Sequence, residues 1–392
     1  MSWPLVALKD CCTVVGGATP KREVEAYWDN QDIPWVTPKD ISKIKSIYFD
    51  DAPEYISQKG FDSCAAHKLP KGSLLLTSRA PIGNVAITTR ELCTNQGFKS
   101  LVPKGNVDIK YLYFCMIYSA DRLENEGNGA TFKEVSKKVV EAFKIPLPPL
   151  ETQKQIAAVL EKADQLRKDC QQMEQELNNL AQSVFIDMFG DPVANPKGWE
   201  VSTLDAIASV QLGKMLSSKS KQNVNPKKYL RNANIQWREV GIDDLLEMDF
   251  NEKEMKKFRL QSGDLLVCEG GEIGRCAIWN EQVQDCYYQK ALHRVRIDPQ
   301  LLTPEYLQEY FFWMAKLGGL VNSTNEVTFK HLTAEKMNKL KVPLAPISKQ
   351  TEFSAIYTSI RSELNNNVEL MKEADTTFSA LMQKAFKGEL NL

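Results

Sequence analysis

An internal repeat constrains this chain more than any other feature of its 392 residues. The phrase KIPLPPLETQKQI at 144–156 returns as KVPLAPISKQTEF at 341–353, and each copy precedes a long stretch with few glycines. Self-similarity of this kind indicates duplicated structural units, and it decides the architecture before any single element does. The sequence therefore predicts two copies of one globular unit, each joined to a long helix.

Four further pairs of segments keep the same order in both halves, which extends the duplication to the whole chain. The pairs are 33–41 with 228–235, 71–87 with 262–278, 111–114 with 306–312, and 129–135 with 326–332. Each half begins with short apolar runs divided by Gly, Pro, Asn and Asp, a pattern typical of strands and hairpins. The turns around Gly83 and Gly274 lack the spacing of phosphate-binding loops, so we expect them to join strands.

The two long helices are predicted from apolar residues that alternate at spacings of three and four. The first has TQKQ at 152–155 as its capping box and ends at Gly190, and the second has Ser348 as N-cap and ends at Gly388. This spacing is typical of a coiled-coil seam, and an antiparallel pair is expected because the second globular segment lies between the helices. The expected seam residues are Ile156, Val159, Leu166, Met173, Leu177, Leu180, Ile360, Leu364, Asn367, Met371, Phe378 and Leu381. For either stripe alone, a helix packed on its own unit is the alternative.

These patterns predict an α+β fold, with two tandem globular α/β domains separated and followed by the long helices that pair as an antiparallel coiled coil. The predicted bounds are 1–150 for the first globular domain, 151–190 for the central helix, 191–347 for the second globular domain and 348–392 for the C-terminal helix. At about 1.5 Å per residue, the 39 residues from Glu151 to Phe189 would form a rod of about 58 Å. We expect such a rod to hold two binding units apart by about one and a half turns of B-DNA.

The densest charged segment, 214–238, carries seven basic side chains and no acidic one. Lys and Arg neutralise phosphates, and Arg, Asn and Gln can hydrogen-bond base edges, so the segment is a candidate DNA contact. The candidates are Lys214, Lys219, Lys221, Lys227, Lys228, Arg231 and Arg238, with Lys21, Arg22, Lys39 and Arg79 as a weaker counterpart in the first half. A solvated loop that only favours solubility is the alternative.

Motifs for catalysis are missing from the sequence, which contains no GxSxG, no HExxH and no Cys with a convincing His partner. A nuclease-like set of Asp243, Asp244, Glu254 and Lys256 is a weak alternative, because charges are dense there and the first half has no equivalent. Nine cysteines without CxxC spacing indicate free thiols rather than a metal site, and we expect no metal ligands. The sequence shows no signal peptide and no membrane span, so we expect a cytoplasmic protein.

Together, these motifs resemble the specificity subunit of type I restriction-modification systems over essentially the whole chain. The resemblance lies in PWVTPKDI and YLRNANI, in LLLTSRAPIGNVAI and LLVCEGGEIGRCAI, in NQGFKSL and GATFKEV, and in the PLPPLETQ and PLAPISKQ junctions. It implies that each globular unit is a target recognition domain that reads one half of a bipartite duplex DNA target. It also implies that the helices set the unread gap and dock two methyltransferase subunits, with restriction subunits that translocate DNA completing the complex.

The resemblance further implies a non-catalytic subunit with no cofactor of its own. The partner subunits would use S-adenosylmethionine, ATP and Mg²⁺, and the methyl group would go to adenine. The main rival is a coiled-coil scaffold whose globular ends bind proteins and have no DNA specificity. The second unit has Glu269 near the place of Arg79 and Ala345 in place of Pro148, so base contacts are not transferred from one half to the other.

Overall fold

The computed structural model describes residues 3–42, 44, 46–79, 81–129, 133–222, 224–320 and 332–391. Parts of one predicted repeat, 130–132 and 326–331, lie outside the described residues, as do the side chains of Lys219 and Lys221. The chain divides into two compact units, the first formed by 1–171 with 369–392 and the second by 172–368. Each unit thus contains a globular part and a section of both long helices, while the four predicted domain bounds stay a prediction.

The first unit has ten strands in three sheets within the part of the chain that the structure describes. The strands are β1 Leu5–Ala7, β2 Cys12–Gly16, β3 Ile33–Val36, β4 Tyr48–Phe49, β5 Glu54–Ile56, β6 Leu74–Ser78, β7 Ile82–Thr88, β8 Cys93–Thr94, β9 Lys99–Pro103 and β10 Lys144–Pro146. The sheet orders are β2-β9-β6-β7-β4, β5-β3-β8 and β1-β10. The short helices are α1 Leu8–Cys11, α2 Pro38–Ile41, α3 Gln58–Asp62, α4 Ile109–Tyr118, α5 Ala120–Asn125 and α6 Lys137–Ala142, with a 3₁₀ helix at Glu25–Tyr27.

The main core of the first unit is formed by the five-stranded sheet, α4 and the long helices. Leu74 and Leu76 of β6 are fully buried, as are Leu112 and Phe114 of α4. Ile156 joins the same cluster from the first long helix. Burial of apolar surface stabilises a fold by about 25 cal/mol per Å², so this shared core ties the helix sections to the sheet.

The two long helices are α7 Leu150–Phe189 and α12 Ile347–Lys387. Gly190 and Gly388 follow them with φ of 80° and 77°, the left-handed conformation that ends a helix at low cost. Both helices begin earlier than predicted, so Ser348 and the residues 152–155 lie inside the first turn or two and do not act as caps. Neither α7 nor α12, nor any other described helix, holds an apolar stretch sufficient to cross a membrane.

The second unit repeats this plan with four sheets in the described residues. Its strands are β11 Glu200–Thr203, β12 Ala208–Leu212, β13 Pro226–Leu230, β14 Ile235–Gln236, β15 Glu239–Val240, β16 Leu246–Asp249, β17 Leu265–Cys268, β18 Cys276–Ile278, β19 Tyr287–Tyr288, β20 Leu292–Ile297 and β21 Lys341–Leu344. Its shorter helices are α8 Leu204–Ile207, α9 Glu252–Phe258, α10 Pro304–Lys316 and α11 Ala334–Asn338, with 3₁₀ helices at Ser218–Lys221 and Asn232–Asn234. The sheet orders are β12-β20-β17-β18, β16-β13-β19, β11-β21 and β14-β15.

The strand orders correspond between the units, which confirms the predicted duplication of the α+β fold. The order β2-β9-β6-β7 matches β12-β20-β17-β18, and β5-β3-β8 matches β16-β13-β19. In each three-stranded sheet one pair is antiparallel and the other parallel, with Trp35 opposite Cys93 in the first unit and Tyr229 opposite Tyr287 in the second. The predicted turns between strands are also present, since β6 pairs with β7 and β17 with β18.

Helix α7 pairs with α12 in opposite directions. In the first unit, Arg167 Nε donates a hydrogen bond of 2.6 Å to Asp375 Oδ1, which joins the early part of α7 to the late part of α12. In the second unit, the rings of Phe185 and Phe353 lie 5.6 Å apart, which joins the late part of α7 to the early part of α12. The predicted antiparallel pair is therefore confirmed.

The seam predicted for α7 differs from the structure at three positions. Leu166, Met173 and Leu180 are 44%, 51% and 47% exposed. The buried or half-buried face instead runs through the residues that follow these three, Arg167, Glu174 and Ala181, and it includes Leu160 beside the half-buried Val159. One residue along a helix is a rotation of about 100°. Starting from Ile156, the observed seam advances by four and then three residues, whereas the predicted seam advances by three and then four. The remaining predicted seam residues are buried or half-buried: Ile156, Val159, Leu177, Ile360, Leu364, Asn367, Met371, Phe378 and Leu381.

Candidate nucleic-acid interface

The repeated junction phrase contains one glutamine that ties each long helix to its own globular part. Gln153 is fully buried in the first turn of α7. Its Oε1 accepts from the Asp108 backbone N–H at 2.8 Å, and its Nε2 donates to the carbonyls of Asn106 and Pro148 at 3.1 and 2.8 Å. A buried amide with its two donors and its acceptor satisfied orders the groups around it, so the angle between helix and domain is fixed here.

Gln350 makes the same three bonds in the second unit. It is fully buried, accepts from the Thr303 backbone N–H at 3.0 Å, and donates to the carbonyls of Leu301 and Ala345 at 3.0 and 2.8 Å. The duplication of the phrase thus reflects duplication of a structural joint. The globular parts that present any nucleic-acid contact are positioned by these joints.

In the first unit, four loops meet at one end of the strands, and we call them the first loop surface: 17–19, 37–39, 78–79 and 95–97. Ala18 N donates to Thr94 O at 2.9 Å, Asn95 N to Val36 O at 3.0 Å, and Ser78 N to Gly97 O at 2.8 Å. A Cβ on Gly17 would lie 2.0 Å from Asn95 O, so only glycine permits this approach. The side chains of Thr19 and Gln96, joined by a short hydrogen bond, and of Lys39 project from it.

The second unit builds an equivalent second loop surface from 213–214, 231–233, 269–270 and 289–291. Its backbone bonds correspond one to one, since Lys214 N donates to Tyr288 O at 3.2 Å, Gln289 N to Leu230 O at 3.0 Å, and Glu269 N to Ala291 O at 2.9 Å. A Cβ on Gly213 would lie 2.2 Å from Gln289 O. The scaffold of the two surfaces is the same, and the side chains on it are not.

The four predicted basic residues of the first unit lie on or beside the first loop surface. Lys39 and Arg79 belong to it, and Lys21 and Arg22 follow directly from its first loop. Lys21 and Lys39 are exposed, whereas Arg79 is half-buried. Arg22 donates from Nη1 and Nη2 to both carboxylate oxygens of Glu54, at 3.0 and 2.9 Å. The structure thus brings together residues that formed no run in the sequence.

Three basic residues of the segment 214–238 form ion pairs with nearby carboxylates. Lys214 Nζ lies 2.6 Å from Glu254 Oε2, and Lys227 Nζ lies 2.7 Å from Asp285 Oδ2. Arg231 Nη2 makes a short bond with Asp244 Oδ2. A basic side chain that neutralises a phosphate releases counterions from the DNA, and it does so fully only when no carboxylate is bound to it. These ion pairs therefore reduce the positive charge that the segment offers to DNA.

Arg238 is a structural residue, and this corrects its place among the candidate DNA contacts. Its Nε and Nη2 donate to the two oxygens of Glu309 at 2.6 and 2.7 Å, and the two side chains are 8% and 0% exposed. Burial alone would lower the pKa of Arg238 and is the largest single influence, but the hydrogen bond and the negative charge of Glu309 together leave the pKa raised. The guanidinium also lies 3.9 Å from the centre of the Phe312 ring. A buried, paired and stacked cation is not available to a phosphate.

Lys228 is exposed on β13, opposite Glu247 of β16 in the strand pairing, but no described carboxylate forms an ion pair with it. Lys219 and Lys221 belong to the 3₁₀ helix 218–221, and their side chains lie outside the described part of the chain. Of the seven predicted contacts in this segment, Lys228 is therefore the one for which the structure shows an exposed and unpaired cation. The DNA-binding role of the segment stays a prediction.

Two of the three carboxylates proposed for a nuclease, Asp244 and Glu254, have structural partners. Asp244 accepts from Arg231 and from Asn234, and Glu254 accepts from Lys214 and from its own N-cap backbone at Asn251. Burial would raise the pKa of Glu254, but the bonds from Lys214 and Asn251 leave it lowered. Within the described residues, no group of three or more His, Cys, Asp and Glu side chains could hold a metal ion.

Sequence reasoning missed the carboxylates that pair with the predicted cations. Glu54 is 32 residues from Arg22, and Glu309 is 71 residues from Arg238, so no local pattern connects them. The two junction glutamines were also missed, although a signal existed. Gln153 and Gln350 occupy the same position in both copies of the repeated phrase, which is unusual for a polar residue without a shared structural role.

Comparison with known proteins gives the class of this chain. The family described as "Type I restriction modification DNA specificity domain" matches it twice, over residues 2–179 and 196–371. The chain therefore belongs to this family, and the two matches cover both repeated halves. The resemblance predicted from the motifs is confirmed.

Particular relatives agree with this assignment. The chain is 28% identical over 417 aligned residues to the type I restriction enzyme MjaIX specificity subunit of Methanocaldococcus jannaschii, and the alignment covers all of this chain and 94% of that protein. The crystal structure of a type I S subunit from M. genitalium matches with a TM-score of 0.61 at 12% identity, over 98% of this chain and 96% of that one. A chain from a structure concerned with complex assembly and conformational transition of the type I R-M system matches with a TM-score of 0.59 at 17% identity, over 99% and 98%. The protein is a specificity subunit of a type I restriction-modification system.

Proposed function

We propose that this chain selects a bipartite duplex DNA sequence, with each unit reading one half through its loop surface. The observation that carries the proposal is the pair of equivalent loop surfaces, built on the same backbone bonds but carrying different side chains. A shared scaffold with different polar groups is what two readers of different half-sites require, because base edges are distinguished by donor and acceptor pattern. Lys39 and Gln96 of the first surface have Ala233 and Lys290 near the matching positions of the second.

Phosphate contacts position such a protein, and base contacts specify the sequence. Lys21 and Lys39 in the first unit and Lys228 in the second are exposed cations suited to phosphates. Lys227 and Arg231 are held by Asp285 and Asp244, so their removal would also expose a carboxylate. In this proposal, the exposed lysines account for most of the salt dependence.

Partner subunits dock on the long helices in this proposal. The outward positions of α7 carry Leu166, Met173 and Leu180, and those of α12 carry Ile356 and Leu370, all more than one third exposed. Apolar residues at multiples of seven on a helix present one face, and exposed apolar faces mark sites of protein association. We assign these exposed apolar positions, Leu166 and Leu370 in the first unit and Met173, Leu180 and Ile356 in the second, to two methyltransferase subunits, with restriction subunits joining the larger complex.

Catalysis belongs to the partners in this proposal. The chain itself has no cofactor and no catalytic residue, while the methyltransferase subunits use S-adenosylmethionine and the restriction subunits use ATP and Mg²⁺. The complex works in the cytoplasm, where its DNA target is. The support for a non-catalytic role is that the carboxylates Asp244 and Glu254 serve as ion-pair partners.

The experiment is binding of duplex DNA by this chain assembled with its methyltransferase subunits, measured between 50 and 200 mM salt. We expect specific binding that weakens about 40-fold or more over that range, because three exposed lysines on phosphates give a slope of about −2.7 in log K against log salt. Association that ignores salt and competitor DNA would favour the protein-binding scaffold instead. A four-residue insertion near Leu166, with a matching one near Asp375, lengthens both helices by about 6 Å. We expect it to widen the recognised gap by one or two base pairs.

A further inference from the structure

Among the described residues, Arg22 of the first unit is the one cation that lies over two aromatic rings. Arg22 lies against two tryptophans, with its guanidinium carbon 3.8 Å from the centre of the Trp28 ring and 4.8 Å from that of Trp35. Its Nη1 and Nη2 donate to both oxygens of Glu54. The side chain is nevertheless 49% exposed.

The surroundings of Arg22 are themselves fixed. Trp28 Nε1 donates to the Lys21 carbonyl at 3.2 Å, and Trp35 Nε1 donates to the Ala18 carbonyl at 3.0 Å. The two indole rings meet edge to face at 5.1 Å. Ala18 is part of the first loop surface, so the platform that carries Arg22 is continuous with it.

The two bonds to Glu54 use one hydrogen on each of Nη1 and Nη2. Arginine has five N–H donors in a planar fork, so Nε–H and one further hydrogen on each Nη have no protein partner in the described part of the chain. The Nε–H and the Nη–H next to it lie along one edge of the planar guanidinium and point in the same direction. These free N–H groups form a fork that can donate hydrogen bonds to two acceptors in one plane.

DNA offers two kinds of acceptor pair to such a fork, the oxygens of a phosphate and the O6 and N7 atoms of guanine. The charges around Arg22 favour one kind over the other. A phosphate beside Arg22 would also face the carboxylate of Glu54, whose pKa is lowered by the hydrogen bonds from Arg22, so the pair is ionised and has no net charge. Repulsion by the carboxylate offsets the attraction of the guanidinium for a phosphate. The neutral edge of guanine, with O6 and N7 as acceptors, incurs no such repulsion and matches an arginine fork bidentately.

We propose that Arg22 is a guanine-reading residue of the first unit, held in its reading orientation by Glu54 and by the faces of Trp28 and Trp35. An arginine fixed in advance loses less conformational freedom when it binds, which strengthens discrimination. Arg231 of the second unit also pairs with a carboxylate, but it is only 27% exposed, and no described aromatic ring stacks on it. This inference rests on the proposed function and names one specificity contact within it.

The first test maps methylated adenines by single-molecule sequencing in cells that carry the full chain and its methyltransferase subunits. Arg22→Lys keeps the charge and removes the fork, and Arg90→Lys is the matched control. Arg90 is 48% exposed and pairs with Asp51 at 3.3 Å, but it follows the far end of β7 from the first loop surface. We expect R22K to lose preference for a G·C pair at one position of one half-site by about ten- to a hundredfold, with the other half-site unchanged. R90K should leave the motif intact.

A motif that is unchanged in R22K while methylation falls at every site would overturn the proposal and make Arg22 a phosphate contact or a structural residue. The proposal would also be overturned if R22K changed the base preference at no G·C position in either wild-type half-site. If the wild-type chain yields no bipartite motif at all, the proposed function fails, which is a different result from either of these.

A second measurement has a wild-type arm that does not depend on how the variant folds. The wild-type complex is titrated with target duplexes in which 7-deazaguanine, which lacks the N7 acceptor, replaces each guanine in turn. We expect one guanine in one half-site whose replacement weakens binding about tenfold, and R22K should show no further loss with that duplex. Equal binding to all of the substituted duplexes would rule out the contact.

Discussion

The two units share their loop surfaces but differ in how their globular parts contact the long helices. Tyr111 and Tyr306 mark equivalent positions, since each hydroxyl donates to a proline carbonyl of the junction strand, Pro146 at 2.8 Å and Pro343 at 2.5 Å. Three residues later, the first unit has Phe114, packed against Phe378 of α12 with ring centres 6.3 Å apart. The second unit has Glu309 at that place, buried and paired with Arg238.

The difference shows which parts of a duplicated unit are constrained and which are free to change. The glutamine joints and the glycine approaches are the same in both units because backbone groups leave few ways to satisfy them. The side chain at this place is apolar and packs on α12 in one copy, whereas in the other it is ionic and pairs with Arg238 of the globular part. The second copy gains no obvious stability from its ion pair, because desolvation of two charges offsets their attraction.

The largest effect is expected from Glu309→Ala. It leaves the Arg238 guanidinium buried without a counter-ion, and such a loss destabilises a protein by about 3–5 kcal/mol. Urea denaturation of the full chain would show it as an earlier unfolding transition of the second unit. The double variant Arg238→Met with Glu309→Leu, which imitates the apolar contact of the first unit, should recover most of the loss. A double variant as unstable as the single one would contradict this comparison.

The joints should respond equally in both units. Gln153→Leu and Gln350→Leu each remove three hydrogen bonds and leave a buried backbone N–H without a partner, at a cost of about 1–3 kcal/mol. Thermal unfolding of the two variants measures this directly. Similar losses of stability in the two variants would support one joint that is used in both units. A loss in only one variant would show that the two joints share their geometry but not their contribution to stability.

Adjacent glycines test the loop surface of the first unit. A Cβ at position 17 would meet Asn95 O at 2.0 Å, while a Cβ at position 16 has nothing within 4 Å. Gly17→Ala should therefore push two loops apart and cost about 1–3 kcal/mol, whereas Gly16→Ala should stay within about 0.5 kcal/mol of the wild type. DNA binding by the assembled complex should fall only for G17A. Equal behaviour of the two variants would show that the close approach is not required.

The smallest expected effect concerns neighbouring lysines on β13. Lys228→Ala should reduce the slope of log K against log salt by about one, because an exposed phosphate contact is lost. Lys227→Ala should change the slope less, since Lys227 is already paired with Asp285. Titrations of the assembled complex at several salt concentrations separate the two. If K227A had the larger effect on the slope, the pairing seen here would not persist on DNA.

The sequence predicted the duplication, the two helices with their C-terminal glycines, and the seam of α12. It failed on α7, because Arg167 and Glu174 occupy seam positions, and a pattern of apolar residues cannot locate a polar one that pairs across the interface. Ion pairs such as Arg22 with Glu54 join elements 32 residues apart, and only the folded chain brings them together. Helical periodicity is local in sequence, whereas the loop surfaces are assembled from four distant segments each.

In the proposed function, two units with one scaffold read two different half-sites. The most direct measurement maps modified adenines across the genome in cells that carry this chain with its methyltransferase subunits, and in matched cells that lack only this chain. We expect a two-part motif with a fixed gap and different sequences in its two halves, which disappears with the chain. Adenine modification that is the same in both kinds of cell would contradict it.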